Sequence, residues 1–277
     1  MIRLTPPIAK DRLPLYYPAK YWFVPDAFSL LEDAYRRFVL RDHIRFTLAA
    51  YGRAGANGLL LDVGCGGGLL LGMLARYRVR GFGMDVSEQA AASTWRVQSV
   101  PAACGTLEHA PLAEGSCSVI TMFHVVEHLG DPVRDLLAAR QLLRQNGRLV
   151  VQVPNADCWQ FRLFGKRWNG IDVPRHLVNY RTRDLVKLLH RCGFRVERVK
   201  YFNLRDNPAG FATSLAPRLD PMARRLTGVR ETRVGRIFKS MLYLAITLAA
   251  VPFALAEAAF RRGSSVMVEA VVDDSAS

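Results

Sequence analysis

The chain has 277 residues, of which 38 are Lys or Arg and 24 are Asp or Glu, so its formal net charge is +14. Half of the residues are apolar, a composition that excludes disordered, collagen-like and disulfide-rich chains, and the length suits one large domain or two small ones. The excess of base indicates a nucleic acid or an anionic membrane surface as a partner and predicts nothing about the fold.

The cysteines and the first residues bear on the compartment. The five cysteines are scattered without a CxxC pair, which is typical of a reducing compartment and argues against a zinc ribbon. Residues 1–22 contain prolines and charges where a signal peptide has a continuous apolar run, so secretion is not expected. We therefore expect a cytoplasmic protein.

Taken in chain order, the sequence predicts an irregular arm followed by alternating strands and helices. Residues 1–25 are rich in Pro and aromatic residues, and residues 27–50 carry apolar residues at helical spacing. From residue 59 onward apolar runs alternate with helical stretches, which predicts βαβ units, a parallel sheet and helices on both of its faces. The predicted strands are 59–63, 81–86, 100–104, 118–123, 148–153, 195–199 and 265–272, and the predicted helices after the first are 69–77, 88–99, 132–144 and 182–192.

The stretch DVGCGGG, at residues 62–68, is the most informative part of the sequence. Its four glycines follow a buried strand and open into a helix, and glycine lets the backbone approach a ligand closely because it lacks a β-carbon. In open α/β sheets, ligands bind outside the carboxyl ends of the strands. We therefore expect a ligand at this loop, and a tight turn without a ligand is the alternative.

The residues around this loop indicate the chemistry of the ligand. A dinucleotide site has the pattern GxGxxG, but the third glycine position holds Leu69. Asp62, two residues before Gly64, would repel a pyrophosphate and suits a ligand with a cationic amino end. Asp85 lies at the end of the next predicted strand, one residue before its last position. An acidic side chain at such a point commonly accepts hydrogen bonds from ribose hydroxyls. S-adenosylmethionine has both features.

Four segments resemble the successive motifs of class I S-adenosylmethionine-dependent methyltransferases, namely LLLDVGCGGG, GFGMDVSEQA, TMFHVVEHLGDP and LLRQNGRLVVQVPN. The branch they resemble is the small-molecule group that includes the ubiquinone-pathway O-methyltransferases, and residues 167–194 resemble that group's stretch after the fifth strand. The resemblance covers residues 59–199 and the last strand. It implies a seven-stranded Rossmann-like sheet with helices on both faces, an antiparallel last strand and S-adenosylmethionine as the cofactor.

The resemblance also implies which residues bind the cofactor. It places Asp62, Gly64 and Gly66 around the methionine end, with Cys65 in the same loop, and Asp85 at the ribose. The other residues assigned to the cofactor site are Met84 and Val86 beside the adenosine, Thr106 and Leu107 near the adenine, and Phe123.

Two positions depart from the family's pattern. Thr106 stands where the loop after the third strand normally offers an acidic residue near the adenine amino group, although Leu107 can still offer its backbone. Cys117 and Ser118 stand where Phe-Asp is usual before the fourth strand. These departures concern the predicted adenine contacts and leave the expected cofactor unchanged.

The segment HVVEH, at residues 124–128, matches the inverted zinc-hydrolase pattern through His124, Glu127 and His128. These residues directly follow a buried strand, and the resemblance places them at the edge of the cofactor, so a zinc site is disfavoured. Quinone-type relatives have acidic residues and a His around this turn, but His124 stands where an acid is usual, and we expect no metal. The segment also lacks the Asn/Asp-Pro-Pro-aromatic tetrad of enzymes that methylate base amino groups.

A hydroxyl acceptor must lose a proton, and histidine is the side chain that accepts one near neutral pH. The candidates for the catalytic base are His124 and His176. His176 is preferred because it follows the fifth strand, on the side where relatives bind acceptors, and a loop histidine bonded to the backbone is the alternative interpretation. Tyr21, Trp22 and Trp168 are candidates for the walls of an apolar acceptor pocket, or else core or lid aromatics.

Residues 203–263 form an insertion before the last strand, with ten basic and four acidic residues. Its apolar run at 241–256 would form a helix of about 24 Å, shorter than a hydrocarbon core of about 30 Å, and Pro252 is expected to kink or end it. Because the chain must return to the sheet, we expect an element that lies in one leaflet and contacts the membrane through 236–262. A helix in a dimer interface or against the core is the alternative.

The predicted organisation is therefore an arm and helix at 1–50 that cover the acceptor, a methyltransferase domain at 51–202 and 264–277, and the helical insertion at 203–263. The favoured function is methylation of a small lipidic or amphipathic acceptor, at oxygen, at the cytoplasmic face of a membrane. The alternative is a non-catalytic methyltransferase-like scaffold held at the membrane. An RNA methyltransferase rests on charge alone, so no nucleic acid partner is expected, and a homodimer is left open.

Overall fold

The computed structural model describes residues 1–5, 16, 30–228 and 231–273. The chain divides into two compact units. The first unit comprises residues 1–21, 154–182 and 201–266, and the second comprises 22–153, 183–200 and 267–277. All five cysteines lie in the described part of the chain and are thiols.

A seven-stranded sheet has the order β3-β2-β1-β4-β5-β7-β6. The pairs β1 with β2, β1 with β4, β2 with β3 and β4 with β5 are parallel, whereas β6 and β7 are antiparallel to each other. The seven predicted strands and the antiparallel end of the sheet are thus confirmed. The strands are β1 (Leu59–Val63), β2 (Arg80–Asp85), β3 (Ala102–Cys104), β4 (Cys117–Phe123), β5 (Leu143–Pro154), β6 (Phe194–Lys200) and β7 (Ser265–Val272).

The central strands form because their residues are apolar on both faces, as a strand covered by helices on either side requires. Leu60, Leu61 and Ile120 are completely buried, and Leu71 and Leu74 of the following helix pack into the same interior. The helices are α1 (Leu30–Val39), α2 (Arg41–Arg53), α3 (Leu69–Ala75), α4 (Glu88–Gln98), α5 (Pro132–Leu142), α6 (Trp159–Phe164), α7 (Thr182–Arg191), α8 (Asn207–Leu215), α9 (Pro221–Leu226), α10 (Arg233–Ala249) and α11 (Val251–Ala259).

The sequence located most of these elements to within a few residues, with two differences. The single helix predicted over 27–50 is two helices, α1 and α2, separated at Leu40. Strand β5 begins at Leu143 rather than at residue 148, because Leu143 already pairs with Cys117 of β4 before the register shifts around Asn146, whose φ is +60°.

The buried carboxylate of Glu269 on β7 accepts hydrogen bonds from basic side chains of the second unit. Arg53 of α2 donates a 2.8 Å hydrogen bond to this carboxylate, and Arg198 of β6 donates another at 3.1 Å. The Glu269 side chain is fully buried, so these pairs are shielded from solvent more than a surface pair would be. Part of the chain's positive charge is therefore paired with a buried carboxylate of β7, and these pairs link β7 to α2 and β6.

Helices α10 and α11 of the first unit form one helical stretch from Arg233 to Ala259, interrupted by a turn at Ala250. Pro252 lies in the first turn of α11, so the interruption predicted at this proline is confirmed. The stretch is 27 residues long, however, and the expectation of a helix too short to cross a bilayer was wrong. Among the described residues it is the one helix long and apolar enough to do so.

Candidate functional site

The loop between β1 and α3 holds three glycines in the left-handed region, with φ of +71° at Gly64, +54° at Gly66 and +70° at Gly68. A β-carbon at Gly64 would lie 2.6 Å from Val125 Cγ2, and one at Gly68 would lie 2.7 Å from Thr94 Cγ2. At Gly66 such a carbon would meet no atom within 4 Å. Gly64 and Gly68 are therefore required by packing, whereas Gly66 leaves open space beside the backbone.

Thr94 of α4 fixes this loop in place. Its hydroxyl donates a 2.9 Å hydrogen bond to the carbonyl of Gly66 and lies 3.5 Å from the sulfur of Cys65. The Cys65 thiol is buried, and burial raises its pKa to about 12, so Cys65 offers a ligand its backbone rather than a thiolate. No motif in the sequence marks Thr94. The signal for its position is its helical spacing from Ala90 and Ala91, which are buried on the same side of α4.

Asp62 is buried at the carboxyl end of β1, with 4% of its surface exposed. It lies opposite Thr121 in the β1–β4 register, and the Thr121 hydroxyl donates a 2.6 Å hydrogen bond to Asp62 Oδ1. Burial raises the pKa of Asp62 to about 7, helped by the charge of Asp85 and opposed by the hydrogen bond from Thr121. A cationic ligand group at this carboxyl would favour its charged form.

Asp85, the last residue of β2, is joined directly to the glycine loop. The backbone N–H of Gly66 donates a 2.9 Å hydrogen bond to Asp85 Oδ2, and that of Ser87 donates one to Oδ1, also at 2.9 Å. Burial raises the pKa of Asp85, and these two backbone donors counteract part of that rise. The carboxylate is thereby oriented at the loop with lone pairs that can accept further hydrogen bonds.

The other residues assigned to the cofactor lie along the same edge of the sheet. Met84 is buried, and its carbonyl accepts hydrogen bonds from the N–H groups of Gly64 and Cys65 at 2.7 and 3.1 Å. Val86 has 68% of its surface exposed, an apolar face directly after Asp85. The structure brings these residues together, and their contacts with a cofactor stay a prediction.

The residues expected near the adenine are less closely connected to the loop. Thr106 is exposed, and its hydroxyl lies 3.4 Å from His109 Nδ1. Leu107 is buried in the short turn that follows. Phe123, at the end of β4, packs edge-on against the ring of His43 with centroids 5.0 Å apart.

The open space at Gly66 and the donor and acceptor set around it fit S-adenosylmethionine. Asp62 suits the cationic amino group, Asp85 suits the ribose hydroxyls, and Val86 offers an apolar surface to the adenine. The negative charge of a pyrophosphate would be repelled by the buried carboxyls of Asp62 and Asp85, which disfavours a dinucleotide as the ligand. This chemistry agrees with the cofactor expected from the sequence.

His124 follows β4 with a φ of +56°, a conformation that costs a non-glycine residue energy. Its Nδ1 lies 3.2 Å from Glu127 Oε1, and its Nε2 lies 3.0 Å from Nε2 of Gln152 on β5. Glu127 and Gln152 are both fully buried. Both ring nitrogens therefore have neighbours, and His124 could accept a proton only if one of these contacts changed.

His176, the other candidate base, lies in the first unit. Its Nδ1 is 2.8 Å from the carbonyl oxygen of Gly170, which can only accept, so Nδ1 carries a proton and Nε2 is the basic nitrogen when the ring is neutral. Nε2 lies 3.8 Å from Asp172 Oδ2. The geometry suits a proton acceptor, and it equally suits a loop histidine held by the backbone, so the catalytic role stays a prediction.

Of the three aromatic residues suggested for an acceptor pocket, the structure describes one, Trp168. Trp168 is buried in a small apolar cluster of the first unit, where its ring packs against Phe161 with centroids 5.3 Å apart. This is a core position. Tyr21 and Trp22 lie outside the described residues.

Comparison with known proteins identifies the relatives of this chain. A family model described as a methyltransferase domain matches residues 33–199. A probable S-adenosylmethionine-dependent methyltransferase of Mycolicibacterium smegmatis is 29% identical over 61% of this chain and 63% of its own length. A ubiquinone biosynthesis O-methyltransferase of Sodalis glossinidius is 27% identical over 47% of this chain and 53% of its own length. The chain thus spans less than two thirds of either relative.

A solved structure shares the fold. Geranyl diphosphate C-methyltransferase from Streptomyces coelicolor, in complex with Mg²⁺, geranyl diphosphate and S-adenosylhomocysteine, matches with a TM-score of 0.53 at 17% identity. The match covers 84% of this chain and 78% of that chain. At this identity the similarity concerns the fold alone.

Proposed function

The chain belongs to the methyltransferase-domain family, and we propose that it is an S-adenosylmethionine-dependent enzyme that methylates a small lipidic or amphipathic acceptor at a membrane surface. The observation that carries the proposal is the set of Asp62, Gly66 and Asp85 around one loop, with Asp85 bonded to the Gly66 backbone. Asp62 matches the cationic amino group of the cofactor, and Asp85 matches its ribose. Gly66 leaves the space that the cofactor needs to approach the backbone closely.

The cofactor supplies a methyl group on a positively charged sulfur, which is electrophilic without further activation. The work of the chain is to align the acceptor with that methyl group and to exclude water. Asp62 would balance the positive charge of the cofactor's amino group, and Asp85 would accept hydrogen bonds from its ribose hydroxyls. His176 Nε2 accepts the proton of a hydroxyl acceptor, with the ring oriented by the Gly170 carbonyl.

The names of the relatives support a small acceptor with an apolar part. One relative is named for ubiquinone biosynthesis and for O-methylation, which favours oxygen as the methylated atom. The solved structure with this fold holds geranyl diphosphate, a small molecule with a hydrocarbon chain. We accordingly favour O-methylation of a molecule that partitions into membranes.

An exposed apolar stripe along α10 and α11 supports action at the membrane. Only 22% of the most apolar part of this helical stretch is buried. The residues that form the stripe are all exposed: Val234, Ile237, Phe238, Met241, Leu244, Leu248 and Leu255.

Both ends of the helical stretch stay within the first unit, which supports one way for it to meet a bilayer. Before it, α8 packs against both α10 and α11, and after it Asn155 donates a 2.9 Å hydrogen bond to the Gly263 carbonyl. A transmembrane crossing would separate these attached segments. This arrangement favours a stretch that lies in the plane of one leaflet, with the cytoplasmic face as its proposed location.

Basic residues border the stripe at both ends. Arg233 and Arg236 lie in the first turns of α10, and exposed Arg261 follows α11, whereas the next residue, Arg262, is paired with Asp157. Such residues can meet the phosphates of anionic lipids at about 1 kcal/mol each near the surface. This distribution of charge favours a membrane over RNA, because it surrounds an apolar surface.

Vesicle flotation tests the membrane part of the proposal. The full chain is expected to float with phosphatidylcholine vesicles that contain about a quarter phosphatidylglycerol, and the pair Phe238→Glu with Leu248→Glu should reduce the bound fraction by about tenfold. Trp95→Glu is the matched control, because Trp95 is 59% exposed in the second unit. Equal flotation of all three proteins would contradict membrane contact through this stripe.

A scaffold without catalytic activity is the alternative function. Isothermal calorimetry with S-adenosylhomocysteine separates the two, because an enzyme of this type must bind the cofactor and a scaffold need not. Saturable binding to the wild-type chain, weakened by Asp62→Asn, supports the enzyme. Absence of binding by a folded chain would support the scaffold.

A further inference from the structure

The first unit contains an apolar groove between α6, α8 and the helical stretch that carries the exposed stripe. Its walls are Leu163 of α6, Phe211 and Leu215 of α8, and Ile246, Ala249 and Phe253 of α10 and α11. The volume is about 330 Å³, at the lower end of the range for small-molecule pockets. The groove is therefore large enough for part of a ligand.

The lining determines what kind of ligand part could enter. None of these wall residues has a side chain that can donate or accept a hydrogen bond, and the Phe211 and Phe253 rings contact each other with centroids 5.2 Å apart. A polar group inside would lose its hydrogen bonds to water and find no replacement among these side chains. Hydrocarbon is the chemistry that this lining accepts.

The rim of the groove is exposed, and one wall residue lies next to the stripe in sequence. Leu163 is 61% exposed and Leu215 is 50% exposed, although both are large apolar residues. Leu248, which belongs to the stripe and is 62% exposed, directly precedes the wall residue Ala249. The groove and the stripe thus share one stretch of α10, where Ala249 lines the groove and Leu248 belongs to the stripe.

Basic residues lie close in sequence to the rim. Lys166 and Arg167 follow Leu163 within one turn, and Arg218 follows Leu215. All three are exposed, and no ion pair joins them to an acidic residue in the described part of the chain. The groove therefore combines an apolar interior with exposed cations that lie within four residues of the wall residues Leu163 and Leu215 in sequence.

Charge distinguishes a lipid from a second copy of the chain as the occupant. The acidic residues nearby are already engaged: Glu231 with Arg224 and Lys239, and buried Glu257 with Gln160. A second copy would bring the same excess of cations to this surface. An anionic lipid brings a negatively charged headgroup and a hydrocarbon chain together.

We propose that the groove between α6, α8 and α10 to α11 holds one hydrocarbon chain of an anionic membrane lipid, while the basic residues at its edge meet the headgroup. This inference rests on the membrane part of the proposed function. It adds a specific lipid-binding site to a surface that would otherwise contact the bilayer only as an apolar stripe.

Photochemical labelling tests the site with the full chain. The probe is phosphatidylglycerol with a diazirine in one acyl chain, placed in phosphatidylcholine vesicles, and the labelled peptides are identified by mass spectrometry. The expected result is label on α8, at Phe211 or Leu215, as well as on residues 246–253. Label on the stripe without label on α8 would overturn the groove site.

A groove-filling variant makes the test specific. Ala249→Trp places a large apolar side chain in the groove, and Ala245→Trp is the matched control, one helical turn away and exposed but outside the lining. Ala249→Trp should reduce labelling of α8 by about tenfold while both variants still float with vesicles. Equal labelling of α8 in the two variants would contradict the site, and a wild-type chain that does not float would overturn the membrane proposal as well.

Discussion

Thr121 and Asp62 face each other across the β1–β4 pair, and the Thr121 hydroxyl donates a 2.6 Å hydrogen bond to the Asp62 carboxyl. Asp62 is buried, and burial raises its pKa to about 7. The hydrogen bond from Thr121 stabilises the charged form and limits this rise. The threonine therefore helps to set the pH at which Asp62 can pair with a cationic group.

Replacing Thr121 with valine should weaken cofactor binding near neutral pH. The variant keeps the shape of the side chain but removes a donor to a charged group, worth about 1.5 kcal/mol or about tenfold in affinity. Calorimetric titration with S-adenosylhomocysteine measures the change, and Thr121→Ser, which retains the hydroxyl, is the control. Equal affinities of Thr121→Val and the wild type would show that this hydrogen bond does not influence the site.

The affinity for S-adenosylhomocysteine should rise as the pH rises through 7. The carboxyl of Asp62 must be charged to pair with the amino group of the ligand. Because its pKa is raised to about 7, the carboxyl is mostly protonated and neutral below pH 7 in the ligand-free protein. Between pH 6 and pH 8 the affinity should increase by about tenfold. Calorimetry in two buffers of different ionisation enthalpy should also detect a released proton.

Asp62→Asn is the control for this pH dependence, because the amide cannot ionise. The variant should bind more weakly and show little change between pH 6 and pH 8. If the pH dependence persisted in Asp62→Asn, another group would be responsible for it.

Two glycine substitutions in one loop should have different consequences. Gly66→Ala and Gly68→Ala both place a side chain at positive φ, which costs about 1 kcal/mol or more. Only the β-carbon at position 68 also collides with Thr94, at 2.7 Å, so Gly68→Ala should lower the melting temperature further. Gly66→Ala adds a methyl group to open space, and it should weaken cofactor binding by about tenfold with the smaller loss of stability.

Thermal unfolding and cofactor titration of both glycine variants measure these effects separately. The interpretation of Gly66 as the point of backbone approach would be wrong if Gly66→Ala bound S-adenosylhomocysteine as tightly as the wild type. A Gly68→Ala variant as stable as Gly66→Ala would contradict the packing against Thr94.

His176→Ala should lower methyl transfer by about tenfold or more while leaving cofactor affinity unchanged, because a general base acts on the acceptor. The measurement compares transfer of labelled methyl groups into a lipid extract with calorimetric affinity for S-adenosylhomocysteine. His190→Ala, a substitution in α7, is the control. Unchanged transfer by His176→Ala would remove this residue as the base.

The strands and the glycine loop could be predicted because their signals are local. Strand β1 begins with three consecutive leucines, and the glycines that follow it mark a turn that few other residues can form. The partners of these residues carry no such signal. Thr121 lies within an apolar strand, and Gln152 within another, and only the register of β4 and β5 with their neighbours shows what they contact.

The helical stretch from Arg233 to Ala259 shows where a local signal is incomplete. Its apolar run and Pro252 predicted a short helix that breaks at the proline. The break is present, but helix extends further on both sides, because Thr232 caps α10 through the N–H of Gly235 and α8 packs along its buried face. Packing against α8 could not be read from the sequence, since no motif identifies that partner.

The central claim is that the chain transfers methyl groups to a lipidic acceptor, and labelled transfer tests it most directly. The wild-type chain is incubated with S-adenosylmethionine labelled in its methyl group and with membranes, and label is counted in the organic extract. We expect label in the extract with the wild-type chain and a strong reduction with Asp62→Asn. Binding of S-adenosylhomocysteine without any label in the extract would contradict the claim.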